Sequence, residues 1–395
     1  MSLGLYFHIP YCLQKCHYCD FVTFSLDHEI QMNRYTELLI TELRARAKYF
    51  LPAQVQSIYF GGGTPSLLPA SHILNLRDEI NRLGFEVLPD AEITIEINPG
   101  TIDNEKLDLY LAAGINRFSV GVQTFNAAFL KHSGREHSAQ DSRDALQFLK
   151  DHNLNYSFDL LFGLPDQTLN TLELDLKELI GYNPNHVSIY NLTVPKKHFM
   201  NLNRASDEVQ SEMFQVIDKS LAQIDVFRYE LSNFSKEGFE SKHNKIYWSD
   251  QAYWGLGVAA HSYIPNYKPW GVRFCNPSSY KQYVTQVEVQ HAEDKPFFLD
   301  FAKQQVENLL LHEALTDYCH TQLRMMRGLN SLSLQAKFGQ KIYFQVLTRL
   351  NDLKSKNLLE YAGESFRLSP SGRTLANQVF LALTFLPEDL NISTR

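Results

Sequence analysis

The sequence predicts an α/β fold: an incomplete (β/α)6 barrel followed by a mainly helical, winged-helix-like C-terminal domain. Three observations predict it. From residue 4 to about 225, short apolar runs alternate with amphipathic stretches six times over. Three cysteines follow the first of those runs directly. The unusual residues of the later runs gather at their C-terminal ends, where barrels of this type keep their function. A doubly wound open sheet answers to the same alternation and is the competing architecture.

The apolar runs at 5–10, 57–63, 92–99, 117–123, 156–165 and 186–194 read as buried parallel strands. Amphipathic stretches at about 28–50, 70–83, 103–113, 138–152, 168–181 and 206–224 read as the helices between them. Asp103, Ser138 and Thr168 stand as N-caps, and Gly114 and Gly181 as helix stops. This first unit spans 1–225. Residues 226–295 form a linking region that completes the barrel mouth. The domain at 296–395 holds helices near 332–338 and 343–356 and a small strand pair within 358–369.

A chain of 395 residues can bury a large core, and its 44% hydrophobic and 21% charged composition is that of an ordinary globular protein. The net charge of −7 argues against broad nucleic-acid binding. Residues 321–395 carry ten Lys/Arg against five Asp/Glu, but these are scattered, whereas an electrostatic footprint needs them on one face. A lid over the barrel or a docking surface for a client protein suits that domain better. Five cysteines are too few and too uneven for a disulfide framework and suit a reducing compartment. No secretion signal and no apolar run of membrane-spanning length is found, so a cytoplasmic location is expected.

The chemistry starts at Cys12, Cys16 and Cys19, spaced C-x3-C-x2-C. Three thiolates on one short loop can hold three corners of a cubic 4Fe-4S cluster. The other cysteines, Cys275 and Cys319, are far away, which leaves one iron open to a small molecule. A zinc site wants four ligands, often two C-x-x-C pairs, and unrelated buried thiols are the bland reading. Further along, Gly61-Gly62-Gly63-Thr64 removes every Cβ from one strand edge, so a ligand can reach the backbone; a tight turn needs the same glycines. Glu96 ends an apolar strand, where an unpaired carboxylate is costly. A ribose diol or an ammonium would satisfy it, as would an ion pair with Arg117 or Arg135. Gln123 and Asp159 invite the same reasoning, and Arg135 could clamp a ligand carboxylate or simply start a helix.

The second half carries His243-Asn244-Lys-Ile-Tyr247-Trp248, then Tyr253-Trp254-Gly255-Leu-Gly257-Val-Ala-Ala-His261. In a helix His243 and Tyr247 lie one turn apart on one face. An imidazole beside large flat aromatics describes a haem-contacting wall, and equally a satisfied histidine in an aromatic core. The glycine-rich run could bring backbone over the mouth.

YFHIPYC, CHYCDF, FGGGTPS, IEINP, GVQTF, DLLFGLP, HNKIYW and GLGVAAHS together resemble the radical S-adenosylmethionine (SAM) oxygen-independent coproporphyrinogen III oxidase family, within it the haem chaperone branch. The resemblance covers residues 5 to about 385. It implies that Cys12, Cys16 and Cys19 ligate the cluster, whose open iron chelates SAM and whose electron splits the sulfonium. Tyr6, Tyr18, Gly62, Gly63, Thr64 and Glu96 would line that SAM, with Thr64 in place of the acid of the usual GGE-type motif. Gln123, Arg135 and Asp159 match positions that hold a second SAM in the oxidases. His243, Asn244, Tyr247 and Trp248 match the HNxxYW haem signature of the chaperone branch, and His261 matches a position near SAM that could face haem. The branch passes haem to haemoproteins such as respiratory enzymes, needs an electron donor for its cluster, and is regarded as lacking the oxidase activity. Oxidases also carry a further cysteine where this chain has Phe21, and a segment ahead of the first strand.

Overall fold

A computed structural model of the chain describes residues 2–27, 31–288 and 297–390. The expected helix start at 28 and the expected boundary between 295 and 296 fall outside them. Six parallel strands appear where the alternation predicts: β1 (Ser2–Ile9), β2 (Gln54–Gly62), β3 (Glu86–Ile97), β4 (Arg117–Gln123), β5 (Tyr156–Phe162) and β6 (His186–Asn191). They pair in that order. A seventh strand, β7 (Ala252–Leu256), pairs parallel to β1 on its other side. Antiparallel strands extend both edges, so the sheet curves around a lumen but stays open. From β1 to β6 the strands lie in chain order, without the reversal of a doubly wound sheet, and α1 to α7 pack on the outer face.

Helices α1 (Met32–Arg46), α2 (Ala70–Arg82), α3 (Asn104–Ala112), α4 (Ala127–His132), α5 (Ala139–Asp151), α6 (Leu169–Tyr182) and α7 (Asp207–Ala222) follow the strands. Asp103, Ser138 and Thr168 do cap, each accepting from a backbone N–H in the first turn. Gly114 follows α3 at φ +80°. Gly181 is not a stop: α6 runs through it to Tyr182 and ends at Asn183, a residue that tolerates its left-handed φ of 50°. The strand expected at 156–165 ends at Phe162, because Gly163 turns left-handed at φ 69°.

Each strand has two chemically distinct faces. Leu3, Leu5, Phe7 and Ile9, with Ile93, Ile95, Phe118, Val120, Phe158 and Leu160, pack outward in one core with the apolar sides of the helices. At roughly 25 cal/mol per Å² of buried apolar surface, this shell is the main stabilising term. The alternate positions are small or polar: Gly4, Tyr6 and His8; Ser57 and Tyr59; Glu92, Thr94 and Glu96; Arg117 and Ser119; Ser157 and Asp159. These face the lumen.

The C-terminal part has its own core around Leu315, Leu334, Val346 and Leu350. It comprises a helix at Leu311–Arg324, a helix at Ser331–Ser355 broken at Gly339, and strands Leu359–Ala362 and Ser365–Leu368 paired with Leu329–Asn330. Among the described residues no helix is long and apolar enough to cross a membrane.

Candidate functional site

A cavity of about 570 Å³ opens at the C-terminal ends of the strands and runs down the lumen. Cys12, Cys16, Tyr18 and Cys19 form its upper wall, Gly62, Gly63 and Thr64 one side, and Ser241 and Asn244 its deepest part. The cysteine loop leaves β1 at Ile9 and is stitched to the end of β2: Gly63 N–H donates to Ile9 O (2.8 Å) and Thr64 N–H to Tyr11 O (2.7 Å). Only glycine permits this, since a Cβ at 63 would stand 2.7 Å from Tyr11 O and 2.8 Å from Ile9 O. Gly62 N–H donates to Glu96 Oε2 (2.9 Å). With these N–H groups committed, the glycine edge offers a ligand acceptors rather than donors, which suits an ammonium group.

The three thiols are free and half-buried. Thr64 Oγ1 donates to Cys12 Sγ (3.7 Å) and Arg135 Nη1 to Cys16 Sγ (3.5 Å). Burial pushes Cys12 up to about 11 against the pull of Thr64, and also raises Cys19. Among the described residues no three His, Cys, Asp or Glu side chains are grouped to hold a single metal ion. An all-sulfur donor set, with a hydroxyl and a guanidinium aimed at sulfur, fits an iron–sulfur cluster.

Below the loop two half-buried carboxylates, Glu96 and Asp159, stand on the cavity wall. Glu96 accepts from Tyr59 Oη (2.8 Å) as well as from Gly62. Burial, and then the charge of Asp159, push its pKa up to about 7. Neither candidate arginine pairs with it. Arg117 sits 3.5 Å from Glu92. Arg135 donates to Gly121 O (2.7 Å), Asn98 Oδ1 and His137 Nδ1 (3.3 Å) besides Cys16, so it braces the loop and is not a free carboxylate clamp. Asp159 is raised to about 6 by burial, in spite of hydroxyl bonds that include Ser119 Oγ at 3.3 Å. Gln123 lines the cavity at φ 65°, a strained backbone for a residue with a side chain. Tyr6 does not line it: its hydroxyl bonds His8 Nδ1 (3.1 Å) and its ring stacks behind Tyr59.

Residues 6–179 match the Radical SAM superfamily. The chain is 32% identical to the heme chaperone HemW of Bacillus subtilis over 95% of this chain and 97% of that one. It is also 32% identical to the heme chaperone HemW of Lactococcus lactis over 98% of each. The chain belongs to the HemW family of radical SAM proteins. Radical SAM membership implies a 4Fe-4S cluster and SAM, which the sulfur loop and its cavity fit. Coproporphyrinogen III oxidase (HemN) from Escherichia coli shares the fold, with a TM-score of 0.80 over 97% of this chain and 90% of that one at 22% identity.

In this HemW-family chain the HNxxYW residues form a short helix, α8 (Lys242–Trp248), at the N-terminal ends of the strands, beneath the cavity. Glu92 receives its first turn, accepting from Ser241 Oγ, Lys242 N and His243 N, each at 3.0 Å. His243 and Tyr247 do lie one turn apart, with Nε2 to Oη at 2.8 Å. The other ring nitrogen, Nδ1, is 2.8 Å from Ser57 Oγ. His243 is buried, which lowers its pKa to about 3, and its ring stacks on Tyr59. Both nitrogens are thus committed, the arrangement of a satisfied core histidine. Asn244 alone of the four lines the cavity. Trp248 faces the other way, with the Arg324 guanidinium 4.4 Å over its ring.

The glycine-rich run does not close the mouth. Gly257 N–H bonds Glu42 Oε2 (2.9 Å) and Val258 N–H bonds Tyr35 Oη (3.0 Å), so the run is pinned to α1 on the outer side of β1. His261 is exposed on a neighbouring strand and is absent from the cavity wall. The C-terminal part is not a lid either: no described residue beyond Asn244 lines the cavity. It packs under α8, where Gln322 Nε2 donates to Trp248 O (2.8 Å) and Arg324 pairs with Glu230 (3.0 Å). Sequence reasoning missed the lumen residues Ser119, Ser157, His186 and Ser188, all on the cavity wall. The signal was available: within each strand the polar residues recur at every second position.

Proposed function

We propose that this chain is a haem-binding chaperone that carries a SAM-bound 4Fe-4S cluster and delivers haem to haemoproteins. The observation that carries the reading is end-to-end kinship, at about one-third identity, with chains named heme chaperone HemW. The three-thiol loop over a polar cavity supports it. In this reading Cys12, Cys16 and Cys19 hold the cluster, and Tyr18, Gly62, Gly63, Thr64 and Glu96 form the wall for SAM. Gln123 and Asp159 lie deeper in the same lumen. When bound, the cluster supplies one electron at a time, drawn from an external donor.

The chain's own groups have separable tasks. Arg135 holds the loop by Cys16 and keeps positive charge beside sulfur. Glu96 and Asp159 give the lumen a negative potential that attracts a cationic ligand. Tyr59, oriented by Glu96, shields the motif helix from the cavity. His243 and Tyr247 support the floor that Asn244 presents to it. His261 stands as an exposed side chain able to meet a haemoprotein or its haem. The C-terminal helices and strand pair we read as a winged-helix-like module, placed on the underside to dock a client in the cytoplasm.

The test is anaerobic. Cluster-reconstituted protein is mixed with SAM and dithionite, then titrated with ferric haem or incubated with coproporphyrinogen III. Haem uptake with no loss of propionate carbon dioxide is expected. Conversion of coproporphyrinogen would replace the chaperone reading with the oxidase one, and absence of haem uptake would refute it.

A further inference from the structure

The motif histidine is a poor iron ligand where it stands: buried, with Ser57 on one ring nitrogen and Tyr247 on the other. A second imidazole is better prepared. His17, inside the cysteine loop, is exposed. Its Nδ1 lies 2.9 Å from the His132 carbonyl oxygen. A carbonyl only accepts, so in the neutral ring Nδ1 carries the proton and Nε2 the lone pair. Among the described residues no hydrogen-bond partner engages Nε2. Iron-ligating histidines characteristically donate their other ring N–H to a carbonyl or carboxylate, which fixes the tautomer and the ring.

The ring is also held in place. His17 N–H donates to Ser133 O (3.0 Å). A Cβ at Gly134 would stand 3.1–3.2 Å from His17 Cδ2, Nε2 and Cε1, so the imidazole lies over a residue that has no side chain to displace it. Beside it Phe199 is 45% exposed, its ring 5.2 Å from the His17 ring at 73°. Leu202, 68% exposed, follows three residues on. Lys196 and Lys197 are exposed just before Phe199. Among the described residues neither forms an ion pair. His198 is not a competing Nε2 ligand, because its Nδ1 accepts from Met200 N–H (3.2 Å) and the proton therefore sits on Nε2. A poised imidazole, an exposed aromatic face and uncommitted cations are the three things haem asks for: an axial nitrogen, apolar contact for the macrocycle, and partners for two propionates.

Resting on the haem-chaperone reading, we propose that haem docks on the outer rim of the cysteine loop, with its iron on His17 Nε2, its ring against Phe199 and its propionates toward Lys196 and Lys197.

The test is titration of ferric haem into full-length, cluster-reconstituted protein, followed by Soret absorption and electron paramagnetic resonance. His17→Ala should bind at least tenfold more weakly and lose the histidine-ligand signature, with free imidazole restoring that signature and with cluster iron and sulfide per chain unchanged. Phe199→Ala should weaken binding several-fold and keep the signature. A His17→Ala protein with wild-type spectrum and affinity overturns the proposal, as does a signature lost only in His132→Ala or His243→Ala. Wild-type protein that takes up no haem refutes the chaperone reading itself, a result distinct from any difference among variants.

Discussion

Glu96 is the residue whose environment and chemistry are most at odds: a half-buried carboxyl on the cavity wall with two hydrogen bonds and, among the described residues, no ion-pair partner. Its folded pKa of about 7 lies above the ordinary 4.5, so the folded state holds the proton longer than the unfolded one. Stability is then greatest below pH 4.5 on this account, falls as pH rises toward 7, and stays lowered above it, by about 3 kcal/mol at one pKa unit per 1.4 kcal/mol. Glu96→Gln should flatten that decline and raise the stability of ligand-free protein at pH 8 by about 1–3 kcal/mol in urea unfolding. An unchanged slope between pH 5 and 8 would rule this out. Gln123 gives a second case. Its left-handed backbone costs about 1–2 kcal/mol for a residue with a Cβ. Gln123→Gly should keep or slightly raise stability while weakening SAM binding in calorimetry; a plainly less stable variant would show that the strain is not there. Glu96 and Gln123 were legible in the sequence because each is a polar residue at the end of an apolar strand. Arg135 does stand on the cavity wall, but nothing local reveals that its guanidinium also bonds Gly121, Asn98 and Cys16.

At the scale of elements, α8 has one turn on the lumen and one on the C-terminal part, and its start depends on Glu92. Glu92 is also the partner of buried Arg117. Glu92→Gln removes the charge that both rely on and should cost about 3 kcal/mol, because an uncompensated buried cation remains. Thermal unfolding measures this, and a shift within error of zero would contradict it. The helical pairing of His243 with Tyr247 could be read from i,i+4 spacing. Which end of the barrel it closes could not, because a seven-residue helix carries no sign of its long-range neighbours. Strand β7 was hidden for another reason. Gly255 near its end, with Gly257 just beyond, gives it the look of a loop, yet Gly255 is there because a Cβ would lie 2.3 Å from His261 O. The glycine marks close packing inside a sheet.

For the whole molecule, the alternation of strands and helices made the barrel legible, since local periodicity alone encodes it. The open edges and the attachment of the C-terminal part were not, because pairings between distant segments decide them. Arg324 holds that attachment: it pairs with Glu230, which is wholly buried, and covers Trp248. Arg324→Ala should cost about 2–4 kcal/mol by leaving Glu230 without its cation. It should also split one calorimetric unfolding transition into two; a single transition at the wild-type temperature would argue against this coupling. The two-faced strands carry the last consequence. The apolar packing of the strands lies on the outside, so Ser119, Ser157 and Ser188 can be exchanged for other small side chains at little expense to the fold. A designer could refurnish the interior for a different guest and leave the masonry untouched.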